Sequence, residues 1–370
     1  MTQNTSNKTK SVVVIGAGGN IGSHLVPHLG RMPNVARVTL IDRDVYEPPN
    51  LLTQDITPRD VGRRKALVQA RRLARINPDL RVRAIAEAVE RVPLGLLRAD
   101  VILACLDSRR ARAHVNGAAW RLGVTWIDSG VEADGLLASV NVYVPSAECA
   151  CLECGWDDQD YRDLEQVYPC QGFAAQTFAS NAPSSLGALA ASLQAIECAK
   201  VLSGRMDEAV VGQQVLIAAA HHKHYVTSYR RNPDCRFYGH ETWRINKLRQ
   251  GPRELNVGQA IEMGKVSRVN GGAGLRVAGD PFVGRLTCMG CGQRRRLFRL
   301  QSRVGKGEQK CASCGQTMMA AGRDLSERLE ATKLSRTVMA RSLYSLGFRP
   351  GDVFSVGSRV AEQHFEIGGD

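Results

Sequence analysis

The chain has no uninterrupted apolar run long enough to cross a bilayer. Its least polar stretch, residues 184–202, is broken by Gln194, Glu197 and Lys200, which argues against a membrane-spanning helix and against a membrane partner. An apolar signal core is also missing. The first ten residues, MTQNTSNKTK, are polar, predict a disordered start over residues 1–10, and contain no arginine. Aromatic residues make up only 5% of the sequence. The run Arg294, Arg295 and Arg296 lacks the interleaved aromatics of a base-stacking platform, so nucleic acid is not an expected partner. An even, disulfide-ready set of cysteines is absent too. Eleven cysteines without a signal core predict a reducing, cytoplasmic setting and metal or thiol chemistry.

What is present suits a folded protein of two domains. The 370 residues are 44% hydrophobic and 23% charged, enough apolar surface for a core and too little charge density for a disordered chain. The formal net charge is +13. Residues 244–310 hold 15 basic and 4 acidic side chains, so most of the excess sits in one later segment and no uniform basic coat is indicated.

Residues 11–204 alternate between short Val/Ile/Leu-rich runs and helical patterns. SVVVIG, VARVTLID, LRVRAIAEAV, DVILACLD and VTWIDSG read as strands, and KALVQARRLARINP as an amphipathic helix. Buried runs separated by helices predict a Rossmann-like, doubly wound, mostly parallel α/β sheet. The helix SLGALAASLQAIECAKVLSG closes this region at Gly204. Beyond Gly251 and Pro252 the pattern changes to glycine-rich short strands, two cysteine pairs and a final helix carrying Leu334, Val338, Met339, Leu343 and Leu346. The expected organisation is a disordered start over 1–10, an α/β domain with a metal-binding insert over 11–250, and a ribbon and helical region over 251–370. No fixed-period repeat is visible.

Gly16, Gly18, Gly19 and Gly22 follow the first strand and open the first helix. Glycine suits that place because the backbone must turn tightly and a phosphate must approach amides at the positive helix end. Asp42 and Asp44 end the second strand, where a carboxylate can grip a ribose. Alone, these features fit any dinucleotide fold, including a nicotinamide-dependent oxidoreductase.

More selective residues follow. They are Asn50 and Gln54 in EPPNLLTQ, Lys65 in VGRRKA, Asp107 with Arg112 and Asn116 in LDSRRARAHVN, and Asp128, Ser129 and Gly130. In this order, over about residues 11–245, the chain resembles the ThiF/MoeB-like adenylyltransferases, whose fold is shared with ubiquitin-activating enzymes, with an added C-terminal zinc-ribbon region. The resemblance implies an ATP-dependent enzyme that adenylates the C-terminal carboxylate of a small ubiquitin-like or sulfur-carrier protein. It implies ATP and Mg2+ as cofactors, with Lys65 on the phosphates, Asp107 on Mg2+, Asp42 on the ribose, and Asn50 and Gln54 orienting. It also implies a homodimer and a conjugating enzyme as further partners. An ionised carboxylate needs no general base, only cations and amides aimed at the developing charge.

The chain departs from this family pattern in three places. Thr53 replaces the usual arginine before Gln54, the glycine loop has one extra residue, and the amino terminus offers no arginine to a partner. Either Arg63, Arg64, Arg109 or Arg112 replaces the missing cation, a partner donates one, or the site is degraded. Cys170, in the irregular stretch VYPCQGFAAQTF, stands where relatives carry a reactive cysteine. It is either an acyl or sulfur acceptor or an ordinary loop cysteine.

Cys288 and Cys291 with Cys311 and Cys314 form two C-x-x-C knuckles, the pattern of a closed, structural four-thiolate Zn2+ ribbon. Cys151 and Cys154 form a third knuckle without a nearby pair. Cys235 and His240 are expected to complete it, because the other set is self-sufficient, with Cys149 as an alternative ligand. The competing functions are the oxidoreductase and a non-catalytic scaffold with a basic ribbon.

Overall fold

The computed structural model describes residues 9–165, 182–237, 239–264, 273–358 and 361–369. The expected disorder of residues 1–10 lies mostly outside them, and Cys170 lies outside them entirely. The chain divides into two compact units. The first holds residues 1–92 and 97–242, and the second holds Pro93–Leu96 and Trp243–Asp370.

The first unit is built on an eight-stranded sheet. In chain order its elements are β1 (Lys10–Ile15), α1 (Asn20–Leu29), β2 (Val35–Ile41), α2 (Lys65–Ile76), β3 (Arg81–Ile85), β4 (Val101–Ala104), α3 (Arg109–Leu122), β5 (Trp126–Glu132), β6 (Leu137–Tyr143), α4 (Asp158–Glu165), α5 (Ser184–Leu202), β7 (Gln213–Ala218) and β8 (Lys223–Ser228). The strand order is β3-β2-β1-β4-β5-β6-β7-β8. The first five strands run parallel and the last three pair antiparallel. This is the expected mostly parallel α/β architecture. The order reverses beside β1, and a parallel sheet opens a crevice at such a switch point, beyond the carboxyl ends of its strands.

The Val/Ile/Leu runs of β1 and β4 are buried, and they pack with Leu25, Val26 and Leu29 of α1 and Leu186, Ala190 and Ala191 of α5. The helix α5 is long and apolar enough to span a membrane by length and composition, yet half of it is buried within the fold. Its polar Gln194 and Glu197 are among the buried residues. Gln194 donates to the carbonyls of Ala104 (3.0 Å) and Ile127 (2.9 Å) and accepts from the Cys105 thiol. One helix side chain thereby ties the ends of β4 and β5 at the edge of the crevice.

The second unit contains β9 (Ile245–Lys247), α6 (Val257–Glu262), β10 (Gly274–Arg276), β11 (Phe282–Cys288), β12 (Arg294–Leu300), β13 (Met318–Met319), β14 (Leu325–Ser326), β15 (Leu329–Glu330), α7 (Arg336–Met339), β16 (Val353–Gly357) and β17 (Glu362–Glu366). One sheet has the order β15-β10-β16-β17-β9, around a core including Phe282, Phe348 and Phe354. A smaller sheet has β12-β11-β13, with β14 also on β11.

The single final helix expected over residues 334–346 is two short pieces. Ser335 caps α7 through the Val338 amide, and Ser342 caps a separate turn, Leu343–Leu346, through the Ser345 amide. Between them Arg341 accepts from the Val257 amide. Serine side chains at these two positions satisfy turn amides, and that competes with continuous helix. The apolar spacing survives, but it serves two turns.

Candidate active site and metal centres

The first helix begins where β1 runs out. Gly16 turns the chain at φ +76°, in the left-handed region, and a Cβ there would collide with the Cys105 carbonyl. A Cβ on Gly22 would strike the Gly16 carbonyl, and one on Gly18 would lie 2.8 Å from the Tyr46 hydroxyl and press on Lys65. Glycine at these positions lets the loop fold tightly onto α1 and leaves its outer side open.

That open side faces a cavity of about 580 Å3. Gly16, Gly19, Asp42, Asp44, Asn50, Gln54, Lys65, Asp107 and Arg112 all line it. Gly18 and Gly22 stand behind the wall as packing positions. The structure thus brings together residues spread over nearly 100 positions of sequence, each at or near a strand end or a helix start.

Their individual settings differ. Lys65 opens α2 and is only 7% exposed, which excludes a solvated surface lysine. Its ammonium lies 5.4 Å from the Tyr46 ring centroid and makes no close ion pair among the described residues, with the Asp42 carboxylate the charge that interacts with it. A buried ammonium without a close ion pair is costly, so the cavity favours an anion. Asp107 precedes α3, but Ser108 supplies the cap, its hydroxyl accepting from the Ala111 amide. The Asp107 carboxylate makes no hydrogen bond or ion pair among the described residues and is left to the cavity.

Asp42 is already engaged on the protein side. Its carboxylate accepts from the amides of Gly18 (2.8 Å) and Asp44 (3.0 Å), and burial raises its pKa above the ordinary 3.8 despite these bonds and nearby Lys65. Asn50 accepts from the Glu47 amide at 2.9 Å, closing the 3-10 turn of residues 48–52. The Oε1 of Gln54 is buried without a partner, as is the Oδ1 of Asn20. Both residues line the cavity, and such orphaned acceptors fit a ligand that carries donors.

Of the four arginines proposed from sequence as substitute cations, only Arg112 lines this cavity. Its Nε donates to Asp128 at 3.0 Å and one terminal nitrogen donates to the Ser129 carbonyl at 3.3 Å. Arg109 pairs with Asp160 and Arg64 donates to the Arg43 carbonyl. Arg43, which sequence reasoning did not single out, also lines the cavity. Asp128 holds Arg112 strongly charged, while burial dominates the carboxylate's own balance and moves it upward.

A second cavity, about 320 Å3, shares Arg112 and Val131 with the first. Gly130, Ser139, Asn141, Tyr143, Trp156 and Tyr229 line it, and the Oδ1 of Asn141 is buried there without a partner. The sequence reading missed Asn141, Tyr143 and Tyr229. Their only signal was antiparallel strand alternation, which does not distinguish a cavity wall from a core.

Two donor clusters are present among the described residues. Cys151, Cys154, Cys235 and His240 bring one ligand atom each within 4.8 Å of one another, and so do Cys288, Cys291, Cys311 and Cys314. Cys149 belongs to neither. Cys151 and Cys154 are buried, and burial with the adjacent thiols pushes the Cys151 thiol far up. Thiols so crowded give up their protons to a cation rather than to water, so three sulfurs with one imidazole fit Zn2+, as does the four-sulfur set.

Residues 3–237 match the ThiF family. The chain is 32% identical over 238 residues to a sulfur carrier protein adenylyltransferase of Thermus thermophilus, covering 63% of this chain and 84% of that protein. It is 32% identical over 159 residues to ubiquitin-like modifier-activating enzyme 5 of Oryza sativa, covering 39% of this chain and 37% of that protein. The chain thus spans well under half the length of that second relative. The fold also resembles Escherichia coli MccB, with a TM-score of 0.51 and 24% identity over 62% of this chain and 66% of the other. From the family match over most of the first unit, the chain belongs to the ThiF family.

Proposed function

We propose that the first unit uses ATP to adenylate the C-terminal carboxylate of a small ubiquitin-like or sulfur-carrier protein. The observation that carries this reading is the buried, unpaired Lys65 ammonium sharing one cavity with the unpartnered Asp107 carboxylate. A buried cation without a close ion pair suits a polyphosphate, and a free carboxylate beside it suits the metal ion that accompanies one. Asp107 would hold Mg2+, which supplies charge neutralisation at the phosphates. The names of relatives, an adenylyltransferase of a sulfur carrier and an activating enzyme of ubiquitin-like modifiers, support the substrate class.

In this reading the first cavity takes the nucleotide and the second takes the end of the carrier tail. Arg112 stands at their junction, where two anions must meet. The incoming carboxylate oxygen bonds to the α-phosphorus, and the bond from that phosphorus to the bridging oxygen of the β-phosphate breaks. Pyrophosphate leaves and no proton changes hands. Lys65 and the loop amides face the phosphates, and Arg112, kept charged by Asp128, offsets repulsion between the attacking carboxylate and the α-phosphate. Asn141 can accept from an amide of the tail. Passage of the acyl group to Cys170, docking of a conjugating enzyme and self-association as a homodimer belong to this proposal as later stages.

The test is pyrophosphate–ATP exchange with candidate carriers. Asp107→Ala should lower exchange by about 10²–10³-fold, as expected for losing a principal electrostatic group. A carrier-independent nicotinamide absorbance signal with no exchange would instead favour an oxidoreductase. A Cys170→Ser protein that still forms a reducible adduct with its carrier would remove the acceptor role.

A further inference from the structure

The first metal cluster and the second cavity are not separate features. Cys151 is at once a cluster member and a wall residue, and Leu152, Gly155 and Trp156 of the same turn also face the cavity. Across from them stands Tyr229, whose ring would lie 3.6 Å from a Cβ on Gly155. Tyr229 begins the segment that carries Cys235 and His240. One side of the wall is therefore made by two chain segments about 80 residues apart, and both run directly into the cluster.

Among the described residues, the other ties between those segments include the exposed Arg236–Asp158 ion pair and the Arg236 guanidinium 4.6 Å from the Tyr161 ring centroid. Arg231 donates to the Ala147 and Cys149 carbonyls, and the Trp120 ring packs on Phe237 and His240. Among the described residues, the buried apolar cluster here comprises Trp120, Ala150, Cys151 and Cys154, with Tyr229, Cys235 and Phe237 partly buried around it. Within the cluster, Cys151 and Cys235 sulfurs lie 3.8 Å apart, and the Cys154 sulfur is 3.6 Å from His240 Nε2. With so small a core, ligand bonds to one ion would dominate the cross-link.

We propose that the metal bound by Cys151, Cys154, Cys235 and His240 is a positioning element of the second cavity. By fixing the 151–156 turn against Tyr229, it sets the affinity for the carboxylate-bearing tail, while the nucleotide cavity, whose lining includes none of these residues, is left unchanged. This rests on the second cavity receiving the tail.

The full-length, zinc-loaded protein would be titrated with two probes, a fluorescent ATP analogue and a short peptide ending in Gly-Gly with a free carboxylate. His240→Ala and Cys235→Ser should each lose one of two zinc ions, bind the analogue as wild type does, and bind the peptide at least tenfold more weakly. Trp156→Ala should keep both ions and show the same selective loss, which covers the case in which the ligand variants misfold. Cys314→Ser should lose the ribbon ion and bind the peptide normally. Undiminished peptide affinity in zinc-depleted His240→Ala overturns the proposal and leaves the tail assignment standing. So does wild-type affinity in Trp156→Ala. If the wild type binds the analogue but not the peptide, the tail assignment itself fails and the inference falls with it.

Discussion

The Asp42 carboxylate accepts the Gly18 amide at 2.8 Å, so the end of β2 holds the glycine loop that leaves β1. The same carboxylate accepts the Asp44 amide at 3.0 Å. An acid that lines the first cavity thus also fastens the glycine loop beside it. Asp42→Asn keeps only one acceptor atom, leaving a buried amide unpaired at a cost of about 1–3 kcal/mol. Nucleotide affinity should fall along with the melting temperature, because the loop is loosened.

The pH dependence of that variant has a defined sign. Burial raises the Asp42 carboxyl above 3.8, so the folded chain takes up this proton before the unfolded chain does. Stability contributed by the site therefore increases as pH falls through the raised value towards 3.8 and is lost as pH rises. The gap between the thermal melts of wild type and Asp42→Asn should therefore widen as pH is lowered through this window, because only the wild type gains from taking up the proton. A gap that narrows on acidification would contradict the burial argument.

Gly18→Ala offers a sharper test of the loop. Its Cβ would sit 2.8 Å from the Tyr46 hydroxyl and against the Lys65 stem. Overpacking of this kind typically costs about 1–3 kcal/mol, but here the displaced stem carries the ammonium that the proposed function sets against the phosphates. Exchange activity should therefore drop by more than the stability loss accounts for, as read by exchange rates on protein shown folded by circular dichroism.

The architecture was legible because its signals are local. The apolar runs of β1, β2, β4 and β5 and the glycine loop specify buried parallel strands and a strand–helix turn without outside help. Lys65 and Asp107 were legible through the family resemblance rather than through local pattern, and the structure places both beside helix starts in the wall of the first cavity. Asp42 as a loop fastener, Gln194 as a tie between strand ends, and Asn141 as a cavity acceptor were not. Each depends on what lies across the fold, and a lone polar residue in an apolar helix or strand carries no mark of its partner. The final helix misled for the opposite reason: Leu334, Val338 and Leu343 keep helical spacing while Ser335 and Ser342 cap separate turns.

The ribbon in the second unit should depend on its metal. Its core is six buried side chains, Val283, Leu286, Cys288, Val304, Cys311 and Met318, two of them the ligands themselves. Cys311→Ser should abolish amide protection across β11 and β12 in hydrogen exchange. A ribbon that stays protected after metal loss would show that these strands fold on apolar contacts alone.

Arg112 allows structure and chemistry to be separated. It pairs with Asp128 at 3.0 Å, and Asp128 is only 5% exposed. Arg112→Met removes one partner of a buried pair and should destabilise the protein by about 3–5 kcal/mol, because the carboxylate is left uncompensated. The double variant Arg112→Met with Asp128→Leu replaces both charges with apolar groups, which is often close to neutral in stability. If Arg112 served only to neutralise Asp128, restoring stability would restore exchange. If its guanidinium instead offsets the repulsion between the two reacting anions, the double variant should melt near wild type and remain inactive. Guanidinium ion added to Arg112→Ala provides the complementary readout: partial recovery of exchange, with no change in the unfolding midpoint beyond the denaturant effect of the same concentration on wild type.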